Sequence, residues 1–176
     1  MFEVFSVVRQ LHEMLWYLSE ALTLQPASQL HADIAAAYGR IDRLTRHSPG
    51  TLLAMDVEAH RRAVNVLLLR TSELVRAEVL RGKKEHESAD LMGASLKGAK
   101  LRGANLRGSY LIAADLSGAD LRVADLMGAD FRDADIRGAD FTGSIFLTQC
   151  QLNAAQGDAS TKVPPSLTRP AHWPRQ

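Results

Sequence analysis

From Ala89 to Ser144 the chain repeats in fives. A large apolar residue recurs at Leu91, Leu96, Leu101, Leu106, Leu111, Leu116, Leu121, Leu126, Phe131, Ile136, Phe141 and Phe146. Two places before each stands Ala or Ser, from Ala89 to Ser144. Internal repetition of this kind is read before any local propensity, because it decides the architecture. An α-helix would rotate residues five apart by roughly 140° and scatter the leucines around its surface. A flat strand would send them to alternate faces. A chain that turns a corner every five residues keeps them together. The small and the large residue then point inward, and the residues flanking the large one point outward.

Glycine marks most of the corners. Two places after the large residue stand Gly93, Gly98, Gly103, Gly108, Gly118, Gly128, Gly138 and Gly143. A type II turn needs a positive φ at this place, which Gly supplies without steric cost. Ala113, Val123, Asp133 and Thr148 occupy it elsewhere. A β-branched residue with positive φ is an outlier, so a different turn type is expected after Leu111, Leu121 and Phe131.

Before the repeat the spacing becomes helical. Phe5, Val8, Leu11, Leu15, Leu18 and Leu22 predict an amphipathic helix over Met1–Leu22. Pro26 lies in a connection. Ser28 is the expected N-cap of a second helix, with Leu30, Ile34, Ala37, Tyr38, Ile41 and Leu44 as its stripe. His47-Ser48-Pro49-Gly50 breaks the pattern, and a long third helix is expected to run to about Arg81 and stop at Gly82. Three such helices bury their faces by forming a small antiparallel bundle. After the repeat, Thr148-Gln149-Cys150-Gln151 matches a capping box and predicts a short cap helix through about Ala155. The tail from Lys162 is rich in proline and is expected to run extended, with Leu152 and Trp173 against the end of the repeat.

The units ADLRV and ANLRG, of the form A-(D/N)-L-x-x, resemble the pentapeptide-repeat family. The ending FLTQCQLNAAQGD…PPSLTRPAHW is also similar to the terminus of a subgroup of bacterial members. The resemblance implies a right-handed quadrilateral β-helix with four units per coil, hence about three coils. The large residues then form columns at twenty-residue spacing, such as Leu96–Leu116–Ile136. The expected fold is mixed: a helical N-terminal region over 1–87, an all-β right-handed quadrilateral β-helix over 88–148, and a C-terminal cap helix with an extended Pro-rich tail over 149–176.

Charge and composition add exclusions. The chain has 176 residues, a formal charge of +1 and a pI near 8.0. It contains no run of about eighteen apolar residues, and its start lacks the basic region of a secretion signal. With a single cysteine, Cys150, an internal disulfide is impossible, and a cytoplasmic location is expected. Eight aspartates and seven basic residues share the repeat. Asp120 with Arg122, Asp130 with Arg132 and Asp135 with Arg137 stand two apart on one outer face, which predicts a solvated, self-neutralised surface. No His or Cys spacing matches a metal site, and Cys150 in its cap helix reads as a buried, inert thiol. No catalytic residue, cofactor or metal is expected, and the chain reads as a non-enzyme.

The outward positions single out one corner. Met92, Tyr110 and Ile112 fall on the first face of the expected coil, and Met127, Ile145 and Leu147 on the fourth. Clustered apolar side chains mark an interface, covered by the N-terminal helices and tail or by a second copy. The function expected is a non-enzymatic interaction module, binding a protein partner through the outer faces of the β-helix. A homodimer is an option, and neither membrane nor direct nucleic-acid binding is expected. The alternative, taken from the family resemblance, is a DNA mimic that binds DNA gyrase or topoisomerase as quinolone-protection proteins do.

Overall fold

The computed structural model describes residues 2–79 and 87–174. The chain divides into two compact units, Met1–Val75 and Arg76–Gln176.

The first unit is helical. Helix α1 spans Phe2–Ala21, a 3-10 turn spans Gln25–Leu30, and α2 spans His31–Leu44. Helix α3 covers Pro49–Leu53 and α4 covers Val57–Arg76. Leu11, Met14, Leu18 and Ala21 on α1 are buried, as are Ile34, Ala37 and Ile41 on α2. These are the 3–4 spacings that one helix lays against another.

Two local expectations are corrected here. Ser28 does not cap α2. It lies inside the 3-10 turn, and Leu30 takes the N-cap position with no side-chain bond. The long third helix is two helices. Ser48 accepts from the Thr51 amide to start α3, so Pro49 and Gly50 fall inside it, where Pro suits the first turn. Asp56 accepts from the Ala59 amide at 2.9 Å and restarts the chain as α4. A new cap satisfies donors that a continuous helix would have bonded internally. Helix α4 ends at Arg76, short of the expected Arg81, and residues 77–79 form a turn; Gly82 itself, and the linker positions Lys83 to His86, lie outside the described residues.

The second unit contains the repeat. Four five-residue pieces make one circuit, and residues twenty apart are superposed. Asp90 pairs with Tyr110, Ser95 with Asp115, Lys100 with Asp120 and Asn105 with Asp125, all parallel. The next circuit continues with Tyr110 on Asp130, Asp115 on Asp135, Asp120 on Asp140 and Asp125 on Ile145. Each contact is two hydrogen bonds. For the second rung, Asp115 N–H donates to Ala94 O at 2.9 Å, and Leu96 N–H donates to Asp115 O at 2.7 Å.

The expectation of an all-β right-handed quadrilateral β-helix is overturned. Among the described residues the regular elements are all helical, and every parallel pairing is an isolated bridge. No strand or sheet forms among the described residues, so the fold that the family resemblance implied, a β-helical solenoid, does not stand as a description of this chain. The physical reason is the brevity of the straight pieces. Each corner follows so closely on the last that one residue per piece can pair before the backbone turns away. A ladder needs consecutive pairs along a strand.

Packing along the axis is nonetheless complete in the lower circuits. Leu111, Leu116, Leu121, Leu126, Ile136 and Phe141 are fully buried, with Ala114, Ala119, Ala124, Ala134 and Ala139 between them. Phe131 and Phe141 meet edge to face at 6.1 Å between ring centres. The column ending at Phe146 closes with a change of backbone: Phe146 is fully buried yet takes a positive φ of 61°, and Leu147 beside it joins the central cluster.

The turn expectation is also corrected. Ala113, Val123 and Asp133 have φ of 55°, 59° and 58°, the same left-handed corner as the glycines around them. The hydrogen bonds explain why they conform. Ala113 N–H donates to Arg132 O and Asp133 N–H to Ala154 O, as Gly118 N–H does to Arg137 O. Inter-circuit bonding imposes the corner, and the side chain bears the strain.

Helix α5 covers Gln149–Ala154 and opens with the capping box of Thr148 and Gln151. The Gln151 side chain also donates to Leu126 O and Ala129 O, both at 2.8 Å. Leu152, Leu167 and Trp173 join the core, and Trp173 Nε1 donates to Ala155 O. Between α5 and the tail, Gln156 pairs with Asp135 and Lys162 with Asp140. The lower end of the repeat is thus closed by the chain's own C-terminal segment.

Candidate functional site

The outward aspartates have a structural task that charge counting missed. Asp90, Asp115, Asp120, Asp125, Asp130, Asp135 and Asp140 each accept, through Oδ1, the amide N–H two residues on. Asn105 does the same for Arg107. This side-chain turn pre-forms the corner and explains why Asp and Asn fill the position. Three of them also hold arginine. Asp120 takes Arg122 Nε at 2.8 Å and Nη2 at 2.7 Å, and Asp130 with Arg132 and Asp135 with Arg137 form the same fork. The arginine hydrogen bond is the main reason these three carboxyls are held below their ordinary range. The Ser117 side chain does this for Asp115, and the Ser160 side chain for Asp158. Burial works to raise Asp140. Bonds from Thr142 and Lys162 outweigh it and lower the group to about 2.

The expected solvated surface is corrected at one place. The Asp125 side chain is fully buried and pairs with buried Arg107 at 2.9 Å. The sequence carried a signal for it. Met127, Ile145 and Leu147, the outward neighbours on the same face, are apolar, and a carboxylate among them is a buried one.

The candidate interface residues separate into three groups. Met92 and Tyr110 are exposed, at 59% and 51%. Ile112 and Met127 are half-buried. Ile145 and Leu147 are buried, and Leu147 belongs to the core with Leu152 and Trp173. Cys150, expected to be buried, is exposed. Among the described residues no group of three or more His, Cys, Asp or Glu side chains is placed to hold a metal ion. No described helix is long and apolar enough to cross a membrane.

Two further features lie outside the apolar corner. On α1, Phe5 and Trp16 are 69% and 41% exposed, while Leu11, Met14, Tyr17 and Leu18 are buried. In the first circuit Lys97, Lys100 and Arg102 are exposed and have no carboxylate at ion-pair distance among the described residues.

Comparison with known proteins matches the repeat. A family model described as "Pentapeptide repeats" fits residues 89–126 and 113–146, in eight copies. The chain is 62% identical over 176 aligned positions to "Uncharacterized protein YybG" of Bacillus subtilis (strain 168). That alignment covers 98% of this chain and 63% of the relative, so the chain spans less than two thirds of the relative's length. A crystal structure of a pentapeptide repeat protein (Rfr23) from the cyanobacterium Cyanothece 51142 aligns with 44% of this chain and 52% of its own. The identity there is 32% and the TM-score 0.41.

The functional expectations that required a sheet are withdrawn with it. An interaction module presenting the flat outer faces of a β-helix, and a gyrase-binding DNA mimic, both need a continuous sheet surface. The described residues form isolated bridges only.

Proposed function

We propose that this chain is a non-enzymatic protein that acts by binding a protein partner in the cytoplasm, and that the helical unit carries the contact. The observation that supports this is the outer face of α1. Phe5 and Trp16 stand eleven residues apart, about three helical turns, and so share one stripe. Arg9 and His12 lie between them on the same stripe and are exposed. The stripe is opposite the buried residues Leu11, Met14 and Leu18. Trp and Arg are enriched at the centres of binding sites, and a helix with such a face suits a groove on a partner. The non-enzymatic reading is supported by the carboxylates, which spend Oδ1 on the corners of the repeat. A homodimer through Met92, Tyr110 and Ile112 is the second reading, favoured by the exposure of Met92 and Tyr110 on one face of successive circuits.

The test is cross-linking capture from cells with Phe5→Glu/Trp16→Glu against Met92→Glu/Tyr110→Glu. Loss of one specific cross-linked protein in the first variant only, with helicity retained, is the expected result. Capture that survives it contradicts the reading. Sedimentation separates the dimer: a concentration-dependent doubling of mass, abolished by Ile112→Asp, supports the second reading.

A further inference from the structure

The two ends of the repeat differ. At the lower end the chain supplies a segment, with a turn at Asp158–Thr161, to the last circuit. Gln156 N–H donates to Ala134 O, and Ile136 N–H donates to Gln156 O, both at 2.9 Å. Six residues on, Lys162 N–H donates to Ala139 O and Phe141 N–H to Lys162 O, again at 2.9 Å. The spacings to Asp135 and Asp140 are twenty-one and twenty-two, so the segment does not keep the five-residue repeat. Two points of contact complete the edge. Lys162 Nζ also meets Asp140 Oδ2 at 3.0 Å.

The upper end is half finished. Near Leu101, Ala104 and Leu106, which are buried, the first circuit is covered. Arg76 Nη1 donates to Gly103 O, a Cβ on Gly103 would strike Val79, and Ser88 N–H donates to Arg107 O. The other half is open. Leu91, Ala94, Leu96 and Ala99 are only half-buried, whereas Leu111, Ala114, Leu116 and Ala119, one circuit below, are fully buried. The backbone N–H and C=O of Ser95 and Lys100 have no partner among the described residues, though Asp115 and Asp120 below them use both. Lys97, Lys100 and Arg102 rim this half with no carboxylate at ion-pair distance among the described residues, and Asp90 stands at its near end. Down the third column the outward residues read Lys100, Asp120, Asp140, Lys162. The lower end closes with a cation on an anion. The upper end offers cations.

We propose that the open half of the first circuit, from Leu91 to Arg102, takes up an acidic polypeptide segment of a partner protein. The segment pairs its backbone with Ser95, turns with the corner at Gly98 and pairs again with Lys100, as Gln156 and Lys162 do at the lower end. It lays a small or apolar side chain over Leu91 and Leu96 and sets its carboxylates against Lys97 and Lys100. Backbone bonds to unpaired groups give affinity, and the side chains give specificity. The charge of the rim sets the sign of the partner. The proposal concerns the second unit and stands apart from the α1 contact.

The test uses the full chain and two short labelled peptides, one alternating glutamate with valine and one alternating lysine with valine. Fluorescence anisotropy at low salt is expected to give binding of the glutamate peptide at least about tenfold tighter than the lysine peptide. Hydrogen exchange should show new protection of the Ser95 and Lys100 amides. Lys97→Glu/Lys100→Glu should reverse the preference. Lys97→Gln/Lys100→Gln should abolish it with little change in the melting profile, since neither side chain makes an ion pair among the described residues and Lys97 acts on Asp115 only at a distance. Phe5→Glu/Trp16→Glu should leave peptide binding intact, so this proposal and the α1 reading fail separately. Equal affinity for both peptides overturns the proposal. So does protection elsewhere, or self-association that protects the same two amides without peptide.

Discussion

The first and second circuits, residues 89–108 and 109–128, are written in nearly the same pattern and end in different states. In the second, Leu111 and Leu116 are fully buried, and Asp120 holds Arg122 in a two-pronged pair. In the first, Leu91 and Leu96 are half-buried, and Lys97 and Lys100 have no carboxylate at ion-pair distance among the described residues. The five-residue unit specifies the shape of a circuit, but a circuit is completed by the one above and the one below. Nearest-neighbour coupling of this kind is what repeat architectures share. Position leaves Leu91 and Leu96 half-buried, while sequence leaves Lys97 and Arg102 without an aspartate two places back, because Ser95 and Lys100 stand where the second circuit has Asp115 and Asp120.

The strongest way to break the comparison is to cut the bond between the circuits. Arg107 belongs to the first and Asp125 to the second, and their pair is buried. Asp125→Ala leaves a buried guanidinium without this partner and should cost about 3–5 kcal/mol in urea unfolding. A cost under about 1 kcal/mol would mean that Arg107 finds water and that the pair does not couple the circuits.

Next comes the interior. Leu116→Ala, in the completed circuit, should cost about 2–5 kcal/mol. Leu96→Ala, its superposed partner above, should cost distinctly less, because part of that side chain already meets solvent. Equal costs would show that the upper half is covered in solution.

The period of five was legible at once, and with it the inward residues and the twenty-residue register. The character of the backbone was not. Whether a straight piece pairs through one residue or several depends on where inter-circuit bonds place each corner, and Ala113, Val123 and Asp133 show those bonds overruling residue preference. In the helical region the stripes were legible but the caps were not. Ser28, an N-cap by residue type, lies inside a 3-10 turn, and Asp56 caps α4 where one continuous helix was expected. Of the candidate site, Met92 and Tyr110 stayed exposed. Ile145 and Leu147 are buried, and Leu147 shares the central cluster with Leu152, Leu167 and Trp173 of the C-terminal segment.

Acid should separate the circuits further. The carboxyls held below their ordinary value lie in the second and third circuits and at Asp158, with Asp140 the lowest at about 2 against an ordinary 3.8. A lowered folded-state pKa contributes stability that is full above the unfolded value and is lost as pH falls through the folded one. The lower circuits should therefore weaken from about pH 4 down to about pH 2, with Asp140 contributing on the order of 2 kcal/mol. Lys162→Ala should narrow that window. A melting temperature flat across it would refute the assignment.

The corners offer a smaller test. Val123 bears a φ of 59°, and Gly118 holds the same conformation at 68° with open space around its absent Cβ. Gly118→Val should lose about 1–2 kcal/mol, the cost of a left-handed residue. Val123→Gly should recover part of that strain, reduced by about 0.5–1 kcal/mol of glycine chain entropy. If both substitutions destabilise equally, the corner is held by something other than φ.

The smallest effect concerns the outward aspartates, and it distinguishes their two tasks. Asp120 accepts the Arg122 amide through Oδ1 and the Arg122 guanidinium through both oxygens. The first bond makes the corner, and the second is a partly exposed ion pair. Asn105 already performs the first task in the circuit above, accepting the Arg107 amide at 3.2 Å. Asp120→Asn therefore keeps the corner and loses only the pair, which is worth roughly 0–1 kcal/mol at the surface. Asp120→Ala loses both and should cost about 0.5–1.5 kcal/mol more, the usual net value of one hydrogen bond. Thermal melts of the two variants at neutral pH, repeated in high salt, decide between them. Salt should shrink the Asn effect, because it screens the pair, and leave the Ala–Asn difference unchanged. If Asn and Ala melt together, the ion pair alone accounts for the aspartate, and the preference for Asp and Asn at every circuit needs another cause.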